Sequence, residues 1–466
     1  MKRSFVVISF LLLFVLTGCK DDEKKKENVC VKQGDSCEDG KICEMYENGQ
    51  LQCAAPVWIK GTVTSSMDGA AIAGAHVQAR DANGAATGTS AVTAQDGSYS
   101  VQVSAVRASD GSPVQTEITL AAQAQGYDLF PTAVRPALPV DLSTSQPDAE
   151  ANGNVVINAI TAIVLMPLPG DVSQNGLISG DFGGDDCAGV LVVAESDSAG
   201  YVGYSNADCE YTIFNVPAGT YTVSGYAAGV QGTSTVQTVA AGAETTGADL
   251  VVSTAPLSTI TGMVSIVNAP GDAITSVILV VESTFIEGAA QVQVPRGLRA
   301  DNVTGAFSFE NVPDGKYVVL AAYENDNLVR DPDVGIGGTS IVHIEVPNPT
   351  TGNTIALSEG FKVTEALNVV SPGAEVPEQV TADNLTFVWM DDSSEKSYDI
   401  KVIDALGNQI WETTIDGVSG GDGTASVPYG GPALTPGMYY QFKVISINNS
   451  GNPISTTEDL KGVFYL

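Results

Sequence analysis

The chain has 466 residues, with 54 Asp and Glu against 21 Lys and Arg and a formal net charge of −33. A surface this acidic repels nucleic acid and anionic lipid, which excludes phosphate-rich partners and leaves solubility or cation binding. The length allows about three domains of ~150 residues, or more if the modules are small. A composition rich in Gly, Ala, Val, Thr and Ser favours many short strands joined by Gly and Pro turns.

The chain opens with Lys2 and Arg3, then the apolar run from Phe5 to Leu16, then Leu16-Thr17-Gly18-Cys19. An apolar run of about twelve residues is too short to span a bilayer, which needs roughly 20. It has the length of the hydrophobic region of a secretory signal. The small residues before Cys19 resemble the lipobox of bacterial lipoproteins. That resemblance implies a signal peptide over 1–18, cleavage before Cys19, and acylation of its thiol by chains such as palmitate, so that the lipid holds the protein on a membrane. The alternative is an ordinary signal peptide with a chance cysteine. Removal of Lys2 and Arg3 takes the charge from −33 to −35. Residues 19–29 then form the lipidated cysteine and a tether, Lys20-Asp21-Asp22-Glu23-Lys24-Lys25-Lys26-Glu27, which is too polar to fold. In the sorting rule of Gram-negative bacteria an Asp after the lipidated cysteine retains a lipoprotein at the inner membrane; Lys20 in that place implies the outer membrane.

Assigning Cys19 to lipid leaves Cys30, Cys37, Cys43, Cys53, Cys187 and Cys209. An even remainder in an exported protein reads as three disulfides. The first four, with Gly34, Gly40 and Gly49 among them, define a knob over 30–54 that is too small for a hydrophobic core and needs covalent staples. Three pairings are open, of which Cys30–Cys43 with Cys37–Cys53 is favoured. A zinc site is the rival, and it needs reduced thiols that an oxidising compartment disfavours.

An internal repeat runs through the body. Residues 208–226 contain Tyr211-Thr212-Ile213-Phe214-Asn215-Val216-Pro217-Ala218-Gly219-Thr220-Tyr221. Residues 304–322 contain Phe307-Ser308-Phe309-Glu310-Asn311-Val312-Pro313-Asp314-Gly315-Lys316-Tyr317, offset by 96. A looser copy is Gly97-Ser98-Tyr99-Ser100-Val101-Gln102-Val103. The alternation predicts a hairpin, with Tyr211, Ile213, Tyr221 and Val223 inward, Pro presetting the turn and Gly supplying its positive φ. Opening strands precede the copies at Ile59 to Thr64, followed by Gly74-Ala75-His76-Val77, and at Ile260 to Val264. Together these motifs resemble the carboxypeptidase regulatory-like domain, a transthyretin-like seven-stranded sandwich. The resemblance implies three antiparallel sandwiches, over 57–145, 155–254 and 258–357. The first copy carries a longer insert where Val-Pro-x-Gly belongs. The zinc-bearing catalytic domain to which this module is appended elsewhere has no counterpart here, so no peptidase activity is implied. Cys209 stands where the other copies have Gly97 and Gly305, and a bridge to Cys187 would staple neighbouring strands.

In the last segment, 360–466, Leu385, Phe387 and Trp389 alternate on one strand and Tyr398, Ile400 and Val402 on the next. Leu434-Thr435-Pro436-Gly437-Met438-Tyr439-Tyr440 resembles the fibronectin type III stretch that ends in the tyrosine corner. The resemblance makes Tyr440 the corner residue and Trp389 the core tryptophan. The expected fold class is therefore all-β: a disulfide-rich knob, then tandem transthyretin-like sandwiches, then a fibronectin-like one farthest from the membrane.

Signals for chemistry are sparse. His76 and His343 lie far apart in strand-like sequence. Metal-protease, serine-hydrolase, phosphate-loop and dinucleotide patterns are lacking, which leaves a carboxylate-only glycosidase as the enzyme class compatible with the pattern. Acidic loops at Asp181 with Asp185-Asp186, and at Glu324-Asn325-Asp326-Asn327 with Asp331 and Asp333, offer oxygen ligands of the kind calcium takes. Exposed aromatics for a sugar platform would come from Trp58, Trp411, Tyr429 and Tyr439, since transthyretin-like sandwiches are similar to starch-binding modules. The expected function is a non-catalytic, lipid-anchored envelope protein with a structural or adhesive role; the alternative is carbohydrate binding at the cell surface.

Overall fold

Alternating apolar and polar residues give pleated strands with one dry face, and two such faces close over each core. The computed structural model describes residues 30–466 except 81–89, 115–117, 132–136, 185–186, 198, 207, 268–273, 286–292, 325–330, 333–340, 347–352, 359, 365, 382, 393–394, 406–407, 418–422, 437 and 458–460. Among the described residues the regular structure is β throughout, and the helical elements are 3-10 turns of three residues. The chain is a knob followed by tandem β-sandwiches.

In the first sandwich the opening strand Val57–Ser65 pairs antiparallel with Ser98–Val103. Its other edge takes Gly153–Val156 and then Ala162–Leu165, both parallel. The facing sheet sets His76–Arg80 between Ala91–Val92 and Thr119–Gln123. In the second sandwich the opening strand Gly176–Asp181 runs antiparallel to Glu210–Val216 and parallel to Glu244–Thr245. In the third, Ser258–Val267 runs antiparallel to Ala306–Val312 and parallel to Thr354–Ala356 and Phe361–Thr364. The sheets built on the opening strands are thus mixed where antiparallel ones were expected, while the facing sheets are antiparallel. The cause is common to all three copies: after visiting the second sheet, the chain returns along the free edge of its own opening strand. Two boundaries move for the same reason. The first sandwich runs to Leu165 rather than ending at 145, and the third runs to Thr364 rather than 357.

The expected hairpin is absent. Glu210–Val216 pairs in the sheet of Gly176–Asp181, whereas Gly219–Ala227 pairs with Leu191–Glu195 and Thr235–Val239 in the facing sheet. Ala306–Val312 and Gly315–Glu324 divide in the same way. The Val-Pro-x-Gly segment is therefore an arch across the core, and Tyr211 and Ile213 face Tyr221 and Val223 from the opposite layer. Alternation gives each strand's inward face, but it does not say whether the next strand lies beside or opposite.

The knob is tied to the body. Its hairpin, Ile42–Tyr46 with Leu51–Ala54, runs parallel to Val106–Arg107, which belongs to the insert of the first repeat. Cys30–Cys43 and Cys37–Cys53 staple it. Beneath it Glu44 and Arg107, 0% and 1% exposed, form a buried ion pair. Arg107 also donates to the carbonyl of Ala55, and the Ala105 amide donates to Glu44 Oε1 at 3.0 Å. Burial pushes the Glu44 carboxyl up, against the pull of Arg107.

In the fourth sandwich Val369–Ser371, Thr386–Met390 and Thr424–Pro428 form one sheet. The larger sheet is built on Val463–Tyr465, Tyr439–Ile447, Ser397–Asp404 and Gln409–Asp416. Trp389 is fully buried against Tyr398, with ring centroids 5.2 Å apart. Tyr440 is buried, and its hydroxyl accepts from the Thr435 amide at 2.8 Å. This sandwich does not stand apart at the far end: Ala405 is buried with Met166 from the end of the first sandwich, and Met438 and Tyr439 pack on the pair.

Candidate functional site

The arch of the third sandwich sets one wall of a wide cleft. The positive φ of the arch belongs to asparagine, at Asn215 and Asn311 (both φ 58°), rather than to the glycine. Asparagine tolerates that region, and in each copy it sits at a register shift against the opening strand. The glycine serves a different need. A Cβ on Gly219 would meet the Tyr221 ring at 3.3 Å, and one on Gly315 would meet Tyr226 at 2.8 Å. The tyrosine two residues on then donates its hydroxyl back to the proline carbonyl, 2.9 Å from Tyr221 to Pro217 and 2.9 Å from Tyr317 to Pro313. Pro, Gly and Tyr therefore act as one closure.

Tyr226 of the second sandwich is buried in the core of the third, its ring at right angles to Tyr317 with centroids 6.0 Å apart. Its hydroxyl donates to Glu195 Oε2 at 2.8 Å, and Ser283 of the third sandwich donates to Glu195 Oε1 at 2.8 Å. Main-chain bonds complete the joint: the amides of Ala228 and Gly229 donate to the carbonyls of Arg296 and Asn311, each at 2.8 Å. Burial pushes the Tyr226 and Tyr317 hydroxyls well above the ordinary tyrosine range. Both stay neutral donors.

Beside this joint lies a cleft of about 1340 Å³. Its walls carry Glu195, Asp197, Glu282, Asp314 and Glu345 against Lys316, among Ser and Thr hydroxyls. Burial holds the Asp314 carboxyl above its usual range. Glu282 meets His343 Nδ1 at 2.6 Å at the rim. The surface offers negative charge and hydrogen-bond acceptors.

Of the residues singled out in the sequence, Cys19, Asp185, Asp186, Asp326 and Asp333 lie outside the described residues, and of Asp331 only the strand Asp331–Pro332 is described. Asp181 is exposed and its amide donates to Asp249 at 3.1 Å. Cys187 and Cys209 are bonded to each other. The sulfurs of Cys30, Cys37 and Cys53 lie within 4.8 Å of one another, but each is spent in a disulfide and none is a thiolate ligand. Trp411 and Tyr429 do come together, centroids 5.1 Å apart, yet at 70° and both against Phe387. They meet edge to face on the flank of the core, so they form no flat platform for a sugar ring. Tyr439 stacks on Tyr465, and Trp58 is half-buried. His76 and His343 belong to different sandwiches.

Reasoning from the sequence missed Tyr226 and the seam between the first two sandwiches. In that seam His76 packs edge-on to Phe214 at 5.0 Å, and Asn215 Nδ2 donates to the carbonyls of Ala124 and Tyr127. Residues that contact a neighbouring domain break no periodicity, so the available signal is a polar residue recurring on a strand's outer face.

No family model matches the chain, and no curated protein sequence does. Among solved structures it is similar to the major pilin subunit of Bacillus cereus, at 11% identity and a TM-score of 0.18, covering 65% of this chain and 99% of that one. It is similar to two B repeat units of the collagen binding protein of Staphylococcus aureus, at 12% identity and a TM-score of 0.18, covering 86% and 100%. A DUF3823 family protein from Bacteroides ovatus gives 14% identity and a TM-score of 0.21, covering 45% and 100%.

Proposed function

We propose that this is a non-catalytic, lipid-anchored protein of the cell envelope, held by acyl chains on Cys19 at the outer membrane of a Gram-negative bacterium and acting as a scaffold or adhesion module. The sandwiches are read as three carboxypeptidase regulatory-like domains and one fibronectin type III-like domain. The observation that carries the interaction role is the joint between the second and third sandwiches. There Leu191, Val193 and Tyr226 of one enter the core of the other, with the acidic cleft beside the joint. Large concave surfaces at domain joints are favoured places for ligands, and the carboxylates favour a partner segment bearing Lys or Arg.

Two experiments test the two halves of this reading. Growth with labelled palmitate should mark the wild-type protein in the membrane fraction, and Cys19→Ala should abolish the label; label retained in that variant overturns the anchor. Crosslinking on intact cells should capture a specific partner whose recovery falls when Asp314 and Glu345 are both changed to Lys. Equal recovery by that variant removes the cleft from the function, and the absence of any specific partner leaves a spacer.

A further inference from the structure

The strand His76–Arg80 turns Val77 and Ala79 into the first core, so His76, Gln78 and Arg80 share its outer face. That face is covered by the second sandwich and leaves Gln78 9% exposed. Opposite Gln78 in the register stands Ala121, whose small side chain leaves space. The result is a cavity of about 110 Å³ in the seam, with Tyr204 and Glu210 on its second wall.

Its polar groups are incompletely matched. The Arg80 guanidinium carbon sits 3.7 Å over the centroid of the Tyr204 ring, a cation–π contact that uses the charge and supplies no acceptor. Arg80 Nε is buried without one. In a chain with 54 acidic residues, Arg107 and Arg299 each meet a carboxylate, while among the described residues Arg80 meets none. Gln78 donates through Nε2 to the Ser205 carbonyl at 3.1 Å, but its Oε1 is buried with no donor. A buried donor and a buried acceptor stand two residues apart on one face, and each costs stability until it is paired.

We propose that this seam is a binding site for a small zwitterion of the α-amino acid class. The carboxylate accepts from Arg80, and the ammonium donates to Gln78 Oε1 with Glu210 at the mouth. One molecule supplies the acceptor and the donor that the cavity lacks. It is neutral overall, so the net charge of the protein does not repel it. The volume limits the ligand to glycine, alanine or the terminus of a longer chain. The inference is independent of the lipid anchor and of the acidic cleft.

The test is calorimetric titration of the whole mature chain with glycine and L-alanine, alongside the thermal midpoint. Both ligands should bind saturably and raise the midpoint. Acetate and methylammonium, each half of the zwitterion, should bind at least about tenfold more weakly. Arg80→Gln and Gln78→Leu should each weaken glycine by about tenfold or more. Since either change acts at an interface, Ala121→Val serves as the second variant: it fills the cavity without removing a polar group, and should abolish binding while the midpoint of the free protein holds or rises. Absence of saturable binding to the wild type, as trapped water alone would give, overturns the site. So does glycine binding by Ala121→Val at wild-type affinity, or acetate binding as tightly as glycine.

Discussion

At the scale of single residues, the repeat is a set of solved conformational problems. Asn311 takes the left-handed backbone of the arch, so Asn311→Ala should destabilise by about 1 kcal/mol while Asn311→Gly stays near neutral. Equal losses for the two in urea unfolding would put the cost in the side chain instead of the backbone. Tyr317 is fully buried and its hydroxyl satisfies the Pro313 carbonyl. Tyr317→Phe leaves that carbonyl unpaired and should cost roughly 1–3 kcal/mol by the same measurement. The sequence made the inward tyrosines legible through their alternation. It did not reveal which residue carries the positive φ, because Asn and Gly both tolerate it. Nor did it show that the glycine makes room for a ring, since that ring arrives from two residues on or from the preceding sandwich.

Element by element, the staples and the seam have different physics. Cys187–Cys209 closes a separation of 22 residues, and replacing both by Ser should remove about 3 kcal/mol in the chain-entropy picture. Cys209 itself has φ 70°, so a glycine there should recover part of the loss; thermal unfolding of both variants checks this. In the seam, burial lowers the His76 pKa below its ordinary value, against the raising effect of Glu210. The neutral ring is the form the fold favours. Stability from this group is therefore full above about pH 6.5 and declines as pH falls through the depressed folded value. His76→Gln should flatten the stability profile in that window, and an unchanged slope would assign the acid sensitivity elsewhere. Strands were largely readable from period-two alternation. Pairing partners were not, because an arch and a hairpin place the same residues inward.

For the molecule as a whole, the joints matter more than the sandwiches taken singly. Glu44 and Arg107 lock the knob to the first sandwich from inside. Arg107→Ala leaves a buried carboxylate unpaired and should cost about 3–5 kcal/mol, loosening the knob toward proteolysis before the sandwiches unfold. Tyr226 fills the core of the neighbouring sandwich, so Tyr226→Ala should cost roughly 3–5 kcal/mol. In calorimetry it should split one shared transition of the second and third sandwiches into two. Two transitions already present in the wild type would mean that the joint does not couple them.

The sequence by itself determined the all-β class, the repeat and the inward faces, those of Trp389 and Tyr440 included, because each of these is written in local periodicity and turn chemistry. It pointed to the bonded cysteines through their number and spacing. Only the tertiary structure decided that the repeat crosses between sheets, that closing strands run parallel to opening ones, and that the insert of the first repeat docks the knob. It also decided that Trp411 and Tyr429 meet edge to face and that Arg80 faces a cavity. Each depends on which surface arrives from elsewhere in the chain, and burial by a neighbouring domain leaves no period in the segment it covers.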